Sequence, residues 1–239
     1  GGSGADTFDL SAGSFLGATA TKTVTGGTGS DTIVFAENVQ ALTSSVATAP
    51  HAVTGVETLE IEAKLADGGV ADLARVVEAD LIAGITSLKI DASNLDGTAG
   101  GGSGEDVTVT INDIESQSVD IKFLATGTAT NDETVSLNLK DDTGAADVMN
   151  ISISNPVAAT SVTGLTTLTV GRAANAANNL VETVNLTLNA TDVATVDGTT
   201  IGTLDATYTE TLNILGTGDA TIGAIEVRDP AGTGTATID

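Results

Sequence analysis

The chain has 239 residues, of which 41% are hydrophobic but only 2% aromatic, and its 32 acidic and 8 basic residues give a net charge of −24. So negative a surface argues against nucleic acid and anionic membranes as partners and favours a cation, with a solvated acidic face as the alternative for acidic residues outside the motifs below. The lack of Cys excludes disulfides, thiolate metal sites and cysteine nucleophiles, and no stretch is apolar enough for a membrane-spanning helix.

Apolar and polar residues alternate in many short segments along the chain. In chain order their apolar members are Leu59 and Ile61; Leu88 and Ile90; Val107, Val109 and Ile111; Val119, Ile121 and Phe123; Val135, Leu137 and Leu139; Met149, Ile151 and Ile153; Leu168 and Val170; Val184, Leu186 and Leu188; and Leu212 and Ile214. A period of two predicts strands with one buried and one wet face, as in a sandwich or a β-solenoid wall. Residues 70–82 instead follow a period near 3.6, which predicts one short helix.

Similar phrases recur, among them VTGVETLEI (53–61), AGITSLKI (83–90), LVETVNLTL (180–188) and YTETLNIL (208–215). The spacing is 29 residues from Leu59 to Leu88 and 26 from Leu186 to Leu212, although only 18 from Leu168 to Leu186. The longer spacings match one coil of a solenoid that adds a strand to a parallel sheet. We therefore predict an all-β chain forming one elongated β-solenoid over residues 1–239, of about nine coils, with a possible sub-boundary near residues 96–104.

Three nonapeptides follow the pattern GGxGxDxUx, where U is a large apolar residue: GGSGADTFD (1–9), GGTGSDTIV (26–34) and GGSGEDVTV (101–109), the last with Thr108 at the apolar place. Glycines permit positive φ and let carbonyl groups turn inward, and the Asp adds a charged oxygen, which together suit Ca²⁺. The predicted metal-binding residues are therefore Gly2, Gly4, Asp6, Gly27, Gly29, Asp31, Gly102, Gly104 and Asp106.

The spacing of the motif Asp residues predicts how the copies stack. Asp31 follows Asp6 by 25 residues and Asp106 follows Asp31 by 75, which is three times 25. We therefore expect all three copies at one corner of the coil, with Asp6 and Asp31 in adjacent coils. The degenerate copies DDTGAADVMNI (141–151) and GTGDATI (216–222) make Asp147 and Asp219 further candidates, for which a plain Gly-rich turn is the alternative.

The nonapeptides resemble those of the RTX family of calcium-binding secreted proteins, and the Thr-, Ala- and Val-rich body is similar to RTX-type bacterial surface-layer proteins. The resemblance implies a right-handed parallel β-roll or β-solenoid, type I secretion, and calcium-driven folding and assembly at the cell surface. RTX copies usually run in tandem, whereas each copy here stands alone. Because the sequence starts inside a motif and without Met, we expect it to be a piece of a longer chain.

The sequence predicts a structural component rather than an enzyme. The single histidine, His51, is interpreted as a loop residue, and with no Cys the sequence lacks the residues of the usual acid–base and nucleophile sites. We expect self-association into a lattice or fibre, with cell-surface polysaccharide as another potential partner. Two alternatives stay open. One is a calcium-rigidified adhesin of immunoglobulin-like sandwiches, and the other is a polysaccharide-active β-helix enzyme using paired carboxylates, disfavoured by the scarcity of Trp, Tyr and basic residues.

Overall fold

The fold is taken from a computed structural model, which describes residues 1–11, 22–36, 52–63, 73–95, 107–115, 117–125, 133–140, 147–155, 163–171, 181–190, 198–207, 209–217, 219–227 and 235–236. The strands are β1 (Thr7–Asp9), β2 (Thr23–Thr25), β3 (Thr32–Phe35), β4 (Ala52–Thr54), β5 (Thr58–Glu62), β6 (Leu73–Glu78), β7 (Ser87–Leu95), β8 (Val107–Ile114), β9 (Ser118–Ala125), β10 (Glu133–Leu139), β11 (Val148–Asn155), β12 (Thr163–Gly171), β13 (Val181–Ala190), β14 (Gly198–Ala206), β15 (Thr209–Thr217), β16 (Asp219–Val227) and β17 (Thr235–Ala236). The described helical structure is one 3₁₀ turn at Ala79–Leu81.

Successive strands alternate between sheets. The odd-numbered strands form one nine-stranded sheet in chain order, the even-numbered strands from β6 to β16 form a six-stranded sheet, and β2 pairs with β4 in a small sheet. All described pairs are parallel. The chain is therefore the all-β parallel solenoid that the period of two and the repeats predict. An immunoglobulin-like sandwich is antiparallel, so the sandwich form of the adhesin alternative is excluded.

Small branched side chains fill the space between the two large sheets. One column in the first sheet joins equivalent positions of five consecutive coils, namely Ile61, Ile90, Ile121, Ile153 and Leu188. All five are buried and belong to one hydrophobic cluster with residues of the second sheet. Parallel strands about 4.8 Å apart bring like side chains into contact, and this thin, layered core explains how the chain packs with so few aromatic residues.

The strand register refines the predicted repeat. Leu59 pairs directly with Leu88, so the spacing between these two residues is one coil. Leu212, however, pairs with Val184 rather than with Leu186, so this coil is longer than the spacing of the two leucines indicates and that marker was wrong. Leu168 lies in β12 of the second sheet and Leu186 in β13 of the first, which explains why their spacing is shorter than a coil.

The predicted helix near residues 70–82 is wrong. Residues 73–78 form β6, which pairs along its length with β8, and only Ala79–Leu81 turn as a 3₁₀ segment. The apolar spacing resembles that of a helix because two buried residues come from different elements: Val77 lies within the strand and Ile82 follows the 3₁₀ turn. β-Branched residues lose side-chain freedom in a helix and pack well on a pleated sheet, and pairing with β8 satisfies the backbone of this short segment.

The sub-boundary predicted near residues 96–104 lies outside the described residues. Both large sheets continue from the coils before it to those after it, because β7 pairs with β9 and β6 pairs with β8. The described residues contain no helix long and apolar enough to cross a membrane.

Candidate metal centre

The first two nonapeptides stack on each other in adjacent coils. β1 and β3 pair with Thr7 opposite Thr32, so that Asp6 and Asp31, each one residue before its strand, are neighbours. The N–H of Thr32 donates to the carbonyl of Asp6 over 2.8 Å, and the N–H of Thr28 donates to the carbonyl of Gly2 over 3.0 Å. The register predicted from the spacing of Asp6 and Asp31 is therefore present at this corner, which we call the acidic corner.

Backbone conformation explains why the second motif needs glycine. Gly27 and Gly29 have φ of +117° and +146°, values that residues with a side chain rarely adopt. A Cβ at Gly27 would also collide with the carbonyl oxygen of Gly2, and one at Gly29 with that of Gly4. Gly2 and Gly4 themselves border open space. The glycines thus let carbonyl groups of one coil lie close against the backbone of the next.

The acidic side chains form a hydrogen-bonded series along the corner. The Asp6 carboxylate accepts the N–H of Gly2, the Asp31 carboxylate accepts the N–H of Asp6, and the Glu57 carboxylate accepts the N–H of Asp31, each over 2.8 Å. Each of the last two bonds joins neighbouring coils. One carboxylate oxygen of Asp31 and one of Glu57 therefore accept backbone N–H groups, those of Asp6 and Asp31, that lie just before the paired strands.

The second carboxylate oxygen of Asp31 is the unusual feature of the corner. Asp31 is 0% exposed, and its Oδ2 has no hydrogen-bond partner among the described residues. A Cβ built on Gly26 would lie 2.5 Å from this oxygen and would collide with the carbonyl oxygen of Gly55. Two oxygens therefore converge beside Gly26. Burying a carboxylate oxygen without a partner is costly, and a cation beside it would remove that cost.

The residues present fit Ca²⁺ by their chemistry. Calcium prefers six to eight oxygen ligands from carboxylates and backbone carbonyls at roughly 2.3–2.6 Å. The corner offers Asp31 Oδ2 with the Gly55 carbonyl and, one coil earlier, Asp6 Oδ2 with the Gly26 carbonyl, because a Cβ on Gly1 would lie 2.6 Å from Asp6 Oδ2 and collide with Gly26. No group of three or more His, Cys, Asp or Glu side chains placed to hold a metal occurs in the described part of the chain. Carbonyl oxygens would therefore supply much of the coordination.

The strand that contains the end of the third nonapeptide lies in the second sheet. Gly102, Gly104 and Asp106 lie outside the described residues. Val107, directly after Asp106, begins β8 of the second sheet, whereas the strands after Asp6 and Asp31 belong to the first. The expected stacking of all three copies is thus wrong, because the interval from Asp31 to Asp106 is not a whole number of coils. Asp219 begins β16, also in the second sheet, and its side chain is outside the description.

Asp147 takes part in a second acidic pair on the first sheet. Its N–H donates to the Glu182 carboxylate over 2.8 Å, and its carbonyl accepts the N–H of Thr183 over 3.0 Å. The Asp31 and Glu57 pair has the same pattern, since the carbonyl of Asp31 accepts the N–H of Thr58 over 2.9 Å.

Sequence reasoning missed Glu57 and Glu182 because they fall outside the nonapeptides. A signal was present in the shared letters VETLEI (56–61) and VETVNL (181–186). In both phrases the Val is 0% exposed and part of the core. The Glu that follows accepts a backbone N–H from the preceding coil, and the next residue is a Thr within a strand of the first sheet. These phrases mark the corner in two coils that lack a nonapeptide.

A lysine joins three coils elsewhere, at the end of the second-sheet strands. Lys140 Nζ lies 3.0 Å from an Asp80 oxygen and 2.9 Å from a Glu115 oxygen. Hydrogen bonds to Glu115 and then to Asp80 raise the pKa of Lys140 above its ordinary value. Nearby, burial raises the pKa of Glu78, although the hydrogen bond from Asn112 opposes the shift. A side-chain cation thus balances acidic residues here.

His51 lies outside the described residues, so its predicted loop position stays a prediction. Comparison of the chain with protein-family models, curated proteins and solved structures finds no match.

Proposed function

We propose that this chain is a calcium-stabilised structural component of a bacterial surface layer or extracellular fibre. The observation that carries the proposal is the fully buried Asp31 carboxylate with its Oδ2 beside the Gly55 carbonyl and without a hydrogen-bond partner among the described residues. Such an oxygen pair favours a hard cation that prefers oxygen ligands. The resemblance of the nonapeptides to RTX motifs supports the same ion.

The chain's own residues would make calcium part of the fold. Asp31 with the Gly55 carbonyl, and Asp6 with the Gly26 carbonyl one coil earlier, would hold calcium between coils, and calcium would supply the positive charge that neutralises the carboxylates. Because these groups come from different coils, the site exists only once the coils have stacked, so binding energy becomes folding energy. A chain of net charge −24 stays extended more readily where calcium is scarce.

The proposal includes a place of action and a partner. The chain acts outside the cell, after type I secretion, as a scaffold without enzymatic activity. It associates with further copies of itself, and cell-surface polysaccharide is a second partner in the proposal. Long parallel sheets give a stiff, elongated body of the kind that a lattice or fibre needs.

Equilibrium unfolding followed by circular dichroism, in EGTA and in CaCl₂, tests the proposal. We expect calcium to raise the unfolding midpoint of the wild type and to have a much smaller effect on the Asp6→Ala/Asp31→Ala double variant. The charge-matched control is Glu60→Ala/Asp120→Ala, which removes two half-buried acids from the polar face of the first sheet, on either side of Lys89, and should keep the calcium response. Equal midpoints in EGTA and calcium for the wild type would contradict calcium stabilisation.

Assembly needs a separate measurement. Light scattering and electron microscopy of the folded wild type with added calcium should reveal ordered sheets or fibres. A protein that binds calcium and remains monomeric at all concentrations would leave the ion's role intact but contradict the lattice component of the proposal.

A further inference from the structure

We infer that the third layer of the acidic corner is Gly55–Glu57 and that Glu57 supplies a carboxylate to the calcium ion held by Asp31. This inference rests on the proposed calcium function and deepens it. It names a ligand-bearing segment outside every nonapeptide.

Gly55 occupies in the third coil the position that Gly26 occupies in the second. A Cβ on Gly1 would collide with the Gly26 carbonyl oxygen, and a Cβ on Gly26 would collide with the Gly55 carbonyl oxygen. The N–H of Gly26 also donates to the Thr54 carbonyl over 2.9 Å, which fixes the two segments against each other. The three glycines therefore form one stack, and Gly55, with φ of +62°, continues it without a nonapeptide.

Glu57 likewise occupies the position of the motif Asp. Its carboxylate accepts the N–H of Asp31 over the same 2.8 Å at which the Asp31 carboxylate accepts the N–H of Asp6. The loop from Gly55 to Glu57 is shorter than the loop from Gly26 to Asp31. The extra methylene of Glu compensates for the shorter loop, so the carboxylate still reaches the coil before it.

The buried oxygen of Asp31 lies where this third layer meets the second. Asp31 Oδ2 and the Gly55 carbonyl crowd the same point beside Gly26. The Glu57 carboxylate meets Asp31 itself, at its N–H, so that these two layers carry two negative charges. One Ca²⁺ would balance those charges. In the first two layers Asp6 Oδ2 and the Gly26 carbonyl converge beside Gly1 in a similar way, but Asp6 Oδ2 also accepts the N–H of Gly2 over 2.8 Å. Of these two positions, the one beside Asp31 is therefore the one whose carboxylate oxygen has no hydrogen-bond partner among the described residues.

The fourth layer ends the acidic stack. Thr86 continues the backbone ladder, because its N–H donates to the Glu57 carbonyl over 2.8 Å. Its side chain is a hydroxyl, which lies 3.4 Å from the same carbonyl oxygen. Gly84 and Ile85 precede Thr86 in the same way that Gly55 and Val56 precede Glu57. The backbone arrangement of the corner therefore continues into the fourth coil, but this coil has no carboxylate at the equivalent position.

Calcium titration by isothermal calorimetry of four single variants tests the inference. Glu57→Gln keeps an oxygen that can accept the Asp31 N–H but removes the charge, and we expect its calcium affinity at the corner to fall roughly 10- to 100-fold. Asp106→Asn should leave the corner affinity unchanged. Glu60→Gln is the matched control, because it removes the same charge from β5, close to Glu57 in the chain but outside both acidic pairs. Asp31→Asn should weaken corner binding at least as much as Glu57→Gln.

The outcomes separate the two proposals. If Asp31→Asn weakens corner binding while Glu57→Gln does not, the role of Glu57 is refuted and the calcium function stands. If Asp106→Asn weakens the corner site and Glu57→Gln does not, the nonapeptide assignment replaces ours. If none of the variants alters calcium binding, the calcium corner itself is wrong.

A gain-of-charge variant covers the case in which Glu57→Gln fails to fold. Thr86→Glu adds a carboxylate at the first uncharged layer and should lengthen the acidic stack. We expect its unfolding midpoint to fall relative to wild type in EGTA and to recover or exceed it in calcium. A calcium response equal to that of the wild type would overturn the inference that charge in the layers after Asp31 contributes to the site.

Discussion

Replacing Asp31 by Asn should make the protein less dependent on calcium rather than simply weaker. Asn keeps the Oδ1 acceptor for the Asp6 N–H, which Asp31 now binds over 2.8 Å. It removes the negative charge and places an amide N–H₂ where Oδ2 has no hydrogen-bond partner among the described residues. The Gly55 carbonyl lies next to that position and can accept a hydrogen bond from the new amide.

The substitution Asp31→Asn changes the free energy of unfolding in opposite directions without and with calcium. A buried polar atom without a partner costs roughly 1–3 kcal/mol, so Asp31→Asn should be as stable as the wild type in EGTA or more stable by up to about that amount. Calcium at 100 times its dissociation constant should stabilise the wild type by about 2.7 kcal/mol. A chain of this size gains about 2–4 °C in Tm per kcal/mol, which gives a calcium-induced shift of roughly 5–11 °C for the wild type and little for the variant.

Thermal unfolding of both proteins across a calcium titration measures this effect. The two curves of Tm against calcium concentration should cross, with the variant higher or equal in EGTA and the wild type higher at saturating calcium. Parallel curves would refute the reasoning, because they would mean that the Asp31 carboxylate has the same partner with and without calcium.

Three other predictions concern packing and charge. Gly26→Ala should lose at least about 1–3 kcal/mol in the free energy of unfolding, because its Cβ would collide with backbone, whereas Gly4→Ala, which meets nothing within 4 Å, should be close to neutral in chemical denaturation. Glu78→Gln should stabilise the fold at pH 7, because burial raises the pKa of Glu78 and the charged form is the costly one. That gain should disappear as the pH falls through the raised pKa towards the ordinary value of 4.5, and a gain independent of pH would contradict it. Lys140→Gln should cause a small loss of stability at pH 7 that added salt diminishes. The raised pKa means that the stability due to Lys140 is complete below its ordinary value of 10.5 and is lost only at higher pH, so a loss at pH 7 that salt leaves unchanged would contradict the ion-pair explanation.

Local patterns were sufficient to predict the parallel solenoid. Alternation at segments such as Val107–Ile111 marks strands with one buried face, and the repeat from Leu59 to Leu88 is one coil in the structure. Because neighbouring coils are also neighbours in sequence, a local repeat of this kind contains much of the tertiary arrangement. The step from Asp6 to Asp31 placed two motifs side by side for the same reason.

The rest depended on tertiary pairing. Coils differ in length, because Asp6 and Asp31 lie 25 positions apart in adjacent coils, whereas the paired Asn150 and Asn185 lie 35 apart. An extrapolated period therefore put the strand that follows Asp106 in the wrong sheet. Residues 73–78 were assigned to a helix because their pairing with β8 is invisible in an isolated segment. Glu57 was not predicted as a site residue because its contact is with Asp31, which belongs to the preceding coil.

The most direct test of the central claim is a calcium-binding isotherm of the wild-type chain, recorded together with its far-ultraviolet circular dichroism. We predict saturable calcium binding, with a cooperative gain or stabilisation of β-structure over the same range of calcium concentration. A fully formed β-fold in EGTA that binds no calcium at a saturable site would contradict the account, and the acidic corner would then be a turn built from glycine and carboxylates alone.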